Sequence, residues 1–345
     1  MKPTPIQQAM KTAVLLANVG TPDAPEVSKV YAYLTSFLND KRVIDIQWLL
    51  RKILVNLIII PFRVRNSTKL YKTLWTEKGS PLLYHSESLA RKLEAKLGNR
   101  FSVFVCMRYG NPSLAKVLEN IRNQGFEEIV VVPMFPQYAS STTGTATGEI
   151  LSMVSNWEVI PSLRFVGQFY DHPAYLDAFA EKAGEIDPDS YDHIIFSYHG
   201  LPDRHVNKVH QHVKVSECDC QREFPPHGRF CYKATCYQTT RLLAEKLKIA
   251  PGKYSVSFQS RLSKNWLTPF SDKVIVELAK AGKKRVLVFA PSFTTDCLET
   301  IVEIGVEYEE LFRHHGGEKL TLAEALNDSD AWVDGLEKLI NQSTG

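Results

Sequence analysis

Short runs of apolar, often β-branched residues recur along the chain, separated by stretches in which apolar positions repeat at a helical period. The runs cover Ala13–Val19, Phe101–Met107, Ile129–Pro133, Leu163–Val166, His193–Tyr198, Tyr254–Phe258 and Arg285–Ala290. Strands that are apolar on consecutive positions are buried on both faces, and amphipathic stretches such as 113–124 and 239–248 supply the covering helices. The pattern predicts an α/β fold with parallel sheets.

The two halves of the chain follow the same plan. The segment AVLLANVGTPD at 13–23 resembles HIIFSYHGLPD at 193–203, and VVVPMFPQ resembles VLVFAPSF further along. We also match Arg108 after FSVFVCM with Arg261 after YSVSFQS. One echo could reflect the general likeness of βα units, but three in the same order favour a duplication. We therefore expect two doubly wound, Rossmann-like halves that bind a ligand between them, at the carboxyl ends of the strands.

Composition narrows the class of protein. A chain of 345 residues with 44% hydrophobic and 23% charged residues is typical of a globular protein of about two domains, and excludes a disordered or collagen-like one. Lys and Arg total 41 against 38 Asp and Glu, and no long basic block is present, which argues against a nucleic-acid partner.

Membrane-spanning and export signals are also missing from the sequence pattern. The longest apolar run, Ile53–Phe62, is broken by Asn56 and Pro61, whereas a bilayer span needs about 20 apolar residues. The run Ala13–Val19 is too short for a signal peptide. We expect a cytoplasmic protein, in which six cysteines favour metal binding over disulfides.

Two sets of titratable residues follow predicted strands. His199 closes one strand, where an imidazole can act as a general base or a metal ligand, although it could simply be satisfied by a backbone carbonyl. Glu299, Glu303 and Glu307 lie at i, i+4 and i+8 on one helical face, with Asp296 just before them. Stacked carboxylates can form a track for a divalent cation, and an exposed acidic face is the alternative.

Seven motifs, in order, give the chain a specific resemblance to the ferrochelatase family. They are LLANVGTPDAP, KGSPL, MRYGNP, PMFPQYASSTTG, FSYHGLP, FQSRL followed by Trp266, and FAPSFTTDCLETIVEI. The match runs from about Ala13 to about Ile340. It implies two Rossmann-like halves with an active-site cleft between them. It also implies a metal-inserting lyase that places Fe2+ in protoporphyrin IX and releases two protons, the final step of haem biosynthesis.

The resemblance assigns roles to individual residues. His199 and Glu299 match the pair that handles metal and protons, and Asp296, Glu303 and Glu307 match an acidic track near that pair. The residues that match the lining of the porphyrin pocket are Val19, Arg108, Tyr109, Tyr138 and Trp266. We take His199 as the proton acceptor and Glu299 as the group that strips water from Fe2+ or passes protons on. The reverse assignment stays open.

Four cysteines lie close together in a segment that is longer than in many ferrochelatases. Cys218, Cys220, Cys231 and Cys236 are accompanied there by four histidines, His205, His210, His212 and His227. Four thiolates can hold a [2Fe-2S] cluster or a tetrahedral Zn2+. Resemblance to bacterial ferrochelatases with an internal cysteine-bearing insertion favours the cluster. Cys236 also matches a stretch of cluster-free relatives, so its place as the fourth ligand is open.

The resemblance also implies a domain division. We expect an N-terminal half at 1–175 with a pocket lip at about 45–75, a C-terminal half at 176–320 with the cysteine-rich insertion at about 207–236, and a C-terminal helix at 321–345. The apolar and basic residues of the lip suggest reversible docking on anionic lipid, and an ordinary buried helix is the alternative.

Two rival functions remain open at this point. One is a chelatase for another tetrapyrrole, such as coproporphyrin or a cobalt-accepting ring. The other is a non-catalytic haem or metal carrier. The sequence does not determine the oligomeric state.

Overall fold

Eight strands form the framework of the computed structural model, which describes residues 11–210 and 213–344. They are β1 Thr12–Thr21, β2 Phe101–Gly110, β3 Glu128–Pro133, β4 Ser162–Phe165, β5 His193–His199, β6 Tyr254–Gln259, β7 Arg285–Phe289 and β8 Lys319–Leu322. The seven predicted strands are confirmed with small shifts at their ends. β8 was missed because its four residues, KLTL, alternate polar Lys and Thr with Leu and carry no continuous apolar run.

The strands form two parallel sheets with the same order, β2-β1-β3-β4 and β6-β5-β7-β8. The predicted α/β class and the duplicated plan are therefore confirmed. One detail of the duplication is wrong. Asn18 of β1 lies opposite Met107, whereas the equivalent Tyr198 of β5 lies opposite Phe258. By this register Arg108 is equivalent to Gln259 rather than to Arg261, because the sequence echo does not reveal how far neighbouring strands slide past each other.

Twelve α-helices lie within the described residues. They are α1 Val27–Leu38, α2 Trp48–Ile53, α3 Ile60–Leu74, α4 Pro81–Leu97, α5 Leu114–Gln124, α6 Thr145–Val154, α7 Pro173–Gly184, α8 Asp203–Asn207, α9 Tyr232–Lys246, α10 Ser271–Lys280, α11 Glu309–His314 and α12 Asp330–Thr344. The prediction at 113–124 is confirmed as α5, which Ser113 caps by accepting from the Lys116 amide and which Gly125 ends with a φ of 68°. The helix predicted at 239–248 is α9, which begins earlier, at Tyr232.

Three further helical segments in the described part of the chain are π-helical. They are Leu54–Ile59, Ser140–Gly144 and Leu298–Tyr308. The first joins α2 to α3, so that the chain stays helical from Trp48 to Leu74. The other two follow β3 and β7, the equivalent strands of the two sheets, and hence lie at the strand ends where a ligand is expected.

One hydrophobic cluster runs through both halves. It contains Leu16 and Val132 of the first sheet, Phe196 and Leu287 of the second, and Trp332 of α12. α12 packs against both α4 and α7. The expected domain boundary at residue 175 falls inside α7, and the shared core holds the strand ends of the two sheets in fixed positions relative to each other.

Within the described part of the chain, none of the helices combines the length and the apolar character that a bilayer crossing requires.

Candidate active site and cysteine centre

His199 is the last residue of β5, and its half-buried ring is oriented by its own backbone neighbours. Nδ1 lies 2.7 Å from the Gly200 carbonyl oxygen, which can only accept, so Nδ1 carries the hydrogen. Nε2 therefore keeps its lone pair, and no described residue donates a hydrogen bond to it. The His199 carbonyl accepts from the Tyr232 hydroxyl at 2.9 Å, and its amide donates to Ser292 Oγ at 3.3 Å. The imidazole is thus held in the tautomer that a proton acceptor or a metal ligand needs.

The residue after His199 must be a glycine. A Cβ on Gly200 would lie 2.7 Å from the Gln259 carbonyl oxygen and 3.3 Å from Cε3 of Trp266. The close approach lets the Gly200 amide donate to that carbonyl at 2.8 Å and lets Trp266 pack beside the strand end. Trp266, one of the residues expected in the porphyrin pocket, therefore lies next to His199 in the structure.

The three glutamates lie on the π-helical segment Leu298–Tyr308. The expectation of an ordinary α-helical face is wrong in this respect, because residues spaced by four suit both helix types and do not reveal the wider i→i+5 turn. Glu303 accepts four hydrogen bonds. The donors are the Ser260 amide at 2.7 Å, the Tyr308 hydroxyl at 2.8 Å, Ser260 Oγ at 2.5 Å and Gln259 Nε2 at 3.3 Å.

The other two glutamates are less constrained. Glu299 is half-buried near the start of the segment. The Glu307 side chain remains reachable from solvent, yet its pKa is raised, first by partial loss of solvation and then by repulsion from Glu303 and Glu310. It therefore holds a proton at a higher pH than an ordinary carboxyl group does.

Gln259 connects the imidazole to the acidic residues. It lies opposite His199 in the β5–β6 register, and its Nε2 donates to the Glu299 carbonyl oxygen at 2.8 Å as well as to Glu303. Its Oε1 accepts from Ser197 Oγ at 2.7 Å. The sequence analysis missed Gln259, although a polar residue at the end of an apolar strand run was a signal for it.

Asp296 holds the loop that enters the π-helical segment. Its buried carboxylate accepts from Thr300 Oγ1 at 2.9 Å, from the Ala325 amide at 3.3 Å and from Asn327 Nδ2 at 2.7 Å. Oδ1 thus binds the first turn of the segment, and Oδ2 joins this corner to the chain at 325–327.

Arg108 and Tyr109 meet at Asp40, whose side chain is 6% exposed and which the sequence analysis missed. Asp40 Oδ2 accepts from Arg108 at 2.8 Å, from the Tyr109 hydroxyl at 2.9 Å and from Thr145 Oγ1 at 2.6 Å. Burial alone would raise the pKa of Asp40, but the hydrogen bonds from Thr145, the Arg42 amide and Tyr109 hold it below its ordinary value. The Tyr109 ring is only 1% exposed, and the Arg108 guanidinium lies over it at 4.8 Å from the ring centroid.

The remaining predicted pocket residues are half-buried. Val19 lies near the end of β1, at the position equivalent to His199, and Tyr138 follows β3. The Tyr138 ring packs edge-on against Phe230 at 6.4 Å, so the first half contacts the cysteine-rich insertion here.

We call the side chains of Cys218, Cys220, Cys231 and Cys236, with the imidazoles beside them, the cysteine centre. All six cysteines of the protein are buried and free. The pKa of the Cys220 thiol is raised, first by interaction with the Cys231 thiol and then by burial. His210 Nε2 lies 2.7 Å from Cys231 Sγ, and His227 Nε2 lies 3.4 Å from Cys218 Sγ.

The other two histidines of the insertion are not placed in this centre. His205 Nε2 lies 2.9 Å from Asp45 Oδ1, in a different cluster. His212 lies outside the described residues.

The lip exposes many large apolar side chains. Trp48, Leu57 and Phe62 are 64%, 69% and 82% exposed, and Leu49, Leu50, Ile53 and Ile58 are exposed as well. Arg63 and Arg65 are exposed beside them. Arg51 instead is buried and donates to the Ile46 carbonyl at 3.0 Å. This surface differs from that of an ordinary buried helix.

The start of the lip is anchored to the second half. Asp45 accepts from Arg204 Nε and from Lys208 Nζ, both at 2.6 Å. Burial of Asp45 opposes its ionisation, but these contacts and His205 hold its pKa well below the ordinary value. Asp45 thereby fixes the lip to the turn that follows His199.

Comparisons with known proteins agree with this arrangement. A model of the ferrochelatase family matches residues 11–344. The ferrochelatases of Legionella pneumophila (strain Lens) and Coxiella burnetii (strain Dugway 5J108-111) are each 40% identical to this chain over 96% of its length, and 99% and 94% of those proteins are covered. Among solved structures, SirB from Bacillus subtilis with Fe3+ has a TM-score of 0.54 at 14% identity, covering 97% of this chain and 96% of that one. This last likeness concerns the fold alone.

Proposed function

The chain belongs to the ferrochelatase family, as the sequence motifs predicted, and we propose that His199 and Glu299 are the groups with which it inserts Fe2+ into protoporphyrin IX. The expectation of a metal-inserting lyase of haem biosynthesis is confirmed by the same relatives. The observation that carries the residue assignment is the bridge through Gln259, which brings the end of β5 and the acidic π-helical segment to one edge of the second sheet.

Two pyrrole protons must leave when the metal enters the ring. His199 accepts the first at Nε2, because its Nδ1 hydrogen is held by the Gly200 carbonyl. The positive charge that forms on the imidazole lies at the same strand edge as the carboxylates, which stabilise it.

The carboxylates handle the substrate metal and the remaining proton. Glu299 offers a hard oxygen ligand that replaces water on Fe2+ as the ion approaches the ring. Glu307, with its raised pKa, takes up a proton more readily than an ordinary carboxylate and can pass it to solvent. Glu303 is held by four donors and keeps the segment in place between them.

The macrocycle needs an apolar wall that can bend it. We infer that Val19, Tyr138 and Trp266 contact the ring, while Arg108 and Tyr109 support that wall through Asp40. Contacts to the periphery of the porphyrin would supply the ~1–5 kcal/mol of strain that exposes the nitrogen lone pairs.

We also propose that the cysteine centre holds a [2Fe-2S] cluster, with Zn2+ as the alternative at the same residues. The ligand atoms of His210, Cys218 and His227 lie within 4.8 Å of one another, and His210 Nε2 lies 2.7 Å from Cys231 Sγ. These buried thiols and the imidazoles beside them are a donor set that fits a metal centre. Such a group would brace the insertion against the second half. Metal insertion is not a redox reaction, so the chain's own residues carry every proton and metal step described above.

The lip is proposed to dock reversibly on an anionic membrane surface. Its exposed Trp48, Leu57 and Phe62 lie beside exposed Arg63 and Arg65, the combination that interfacial helices use.

Sedimentation with phosphatidylserine-containing vesicles tests the proposed membrane docking of the lip. A Leu57→Ser, Phe62→Ser double variant should lose binding, and equal binding to neutral vesicles or by the variant would contradict it.

The decisive assay is anaerobic turnover of purified protein with Fe2+ and protoporphyrin IX, followed at haem wavelengths. Catalytic haem formation that depends on His199 and Glu299 supports the assignment. Faster turnover with coproporphyrin than with protoporphyrin IX would show that the preferred tetrapyrrole is a different one. Turnover with Co2+ and none with Fe2+ would show the same for the metal. One equivalent of product without turnover would indicate a carrier.

A further inference from the structure

The loop between α1 and α2 carries a half-buried arginine, Arg42, whose charge is not compensated by the protein. Its guanidinium forms no ion pair with a carboxylate of the described residues, and it donates a hydrogen bond from Nη1 to Ser140 Oγ at 2.9 Å. Resting on the proposed porphyrin site, we propose that Arg42 and Ser140 bind a propionate carboxylate of the tetrapyrrole.

The Arg42 guanidinium has a defined position at the carboxyl end of the first sheet. It lies beside two glycines that follow β3, since a Cβ on Gly144 would lie 3.4 Å from Nη1 and a Cβ on Gly148 would lie 3.7 Å from Nη2. Asp40 fixes the backbone of the loop, because its Oδ1 accepts from the Arg42 amide at 2.7 Å. Larger side chains at the two glycines would narrow the space that the planar group occupies.

The same corner contains one of the residues inferred to contact the ring. A Cβ on Gly144 would lie 2.9 Å from the Tyr138 hydroxyl, so this hydroxyl and Arg42 Nη1 approach the same glycine. Propionates extend from the periphery of a porphyrin. A guanidinium next to a ring-contacting tyrosine therefore lies where a peripheral carboxylate of the bound ring can reach it.

Arg108, which the sequence motifs assign to the pocket, is in a different electrostatic state. Its Nη2 donates to Asp40 Oδ2 at 2.8 Å and to Glu149 Oε2 at 3.2 Å. Two carboxylates already compensate the charge of Arg108, so a third carboxylate gains little there. Arg42 is the neighbouring cation that still lacks an anionic partner.

The donors left at Arg42 match a carboxylate. A guanidinium has five N–H groups in a planar fork that binds both oxygens of a carboxylate, and the bond to Ser140 uses one of them. Ser140 Oγ accepts that bond and therefore keeps its own hydrogen for a further acceptor. Arg42 and Ser140 together can thus donate charge-assisted and neutral hydrogen bonds to one propionate.

The experiment compares protoporphyrin IX with its dimethyl ester, in which both carboxylates are blocked and uncharged. Binding of each porphyrin to the full-length protein is followed by fluorescence titration in the same detergent solution. Arg42→Gln should weaken binding of the free acid by about tenfold, the effect of losing one charged hydrogen-bonded contact, and should leave binding of the ester unaltered. Arg42→Lys keeps the charge and should recover part of the lost affinity for the free acid.

Turnover gives a second measurement. Arg42→Gln should raise the KM for protoporphyrin IX with little change in kcat, because a propionate contact is the same in the ground state and in the transition state. Lys41→Gln removes a positive charge from the exposed neighbouring residue and is the matched control. It should bind both porphyrins as the unaltered protein does.

Equal losses of affinity for the free acid and the ester in Arg42→Gln would mean that Arg42 only supports the fold, and would overturn the assignment. Unaltered affinity for both porphyrins would overturn it as well, and so would a loss of the same size in Lys41→Gln. A protein that prefers the free acid through Arg42 but forms no haem would leave the propionate site standing and refute the proposed function.

Discussion

The two halves share a strand order and a strand-end turn, but they carry different chemistry at equivalent places. The first strand of the first half carries Val19 near its end, at the position that His199 occupies at the end of β5. The third strand of each half leads into a π-helical segment, which is uncharged at Ser140–Gly144 and acidic at Leu298–Tyr308. Duplication has thus supplied two similar sets of strand ends. The proposed catalytic imidazole and carboxylates follow strands of the second half, whereas the equivalent places of the first half carry Val19 and an uncharged segment.

The largest effect should follow from removing the imidazole. We expect His199→Ala to lower the rate of iron insertion by about 10²–10⁴-fold, the contribution of a positioned proton acceptor, while porphyrin still binds. The equivalent change in the first half, Val19→Ala, should weaken porphyrin binding and leave the chemical step almost unaltered. Steady-state turnover and porphyrin fluorescence titration measure both. Normal turnover of His199→Ala would remove this residue from the mechanism.

The next effect concerns the carboxylate nearest the start of the acidic segment. Glu299→Gln keeps the size of the side chain but loses its charge, so turnover should fall by about 10²-fold through poorer metal delivery or proton removal. Glu277→Gln, an exposed glutamate of α10, is the matched control and should behave as the unaltered protein. Equal rates for the two variants would reduce Glu299 to a role in the scaffold.

Much of this difference between the two halves could be predicted from the sequence. The features that could not be predicted were missed for physical reasons. The strands were predictable because burial on both faces makes them continuously apolar, and His199 and Glu299 stand right after them. Asp40 and Asp45 were not predictable, because each is a single aspartate in a loop whose partners, such as Arg108 and Arg204, are distant in sequence. The π-helix escaped because a spacing of four residues suits an α-helix equally well.

A third difference between the halves should appear in their response to acid. His193 begins β5 where β1 has Ala13, and burial, followed by the charge of Lys283, lowers its pKa to about 4. The unfolded chain binds this proton near pH 6.5, whereas the folded protein does not. The contribution of neutral His193 to the free energy of unfolding is therefore fully present above about pH 6.5 and is lost as the pH falls toward 4. The free energy of unfolding decreases over this range by about 2–3 kcal/mol.

The variant His193→Gln isolates this contribution. Gln cannot be protonated and can still bond to Ser255 Oγ, the partner of His193 at 3.0 Å. The difference in unfolding free energy between pH 7 and pH 5 should therefore shrink in the variant when it is measured by urea titration. An unchanged difference would place the acid sensitivity elsewhere, for example in carboxylates such as Asp45.

The smallest effect divides the acidic residues among themselves. Glu303 accepts four hydrogen bonds, and an amide in its place would turn an NH2 group toward donors, so Glu303→Gln should cost about 1–2 kcal/mol of unfolding free energy. Glu307→Gln should cost almost nothing in stability, because that side chain is reachable from solvent and repelled by its neighbours. If both variants are equally stable, the anchoring of the π-helical segment does not depend on Glu303. If only Glu303→Gln is destabilised, Glu303 holds the fold of the acidic segment, while Glu299 and Glu307 are free to handle protons and metal. The equivalent segment of the first half, Ser140–Gly144, is uncharged and requires no such anchor.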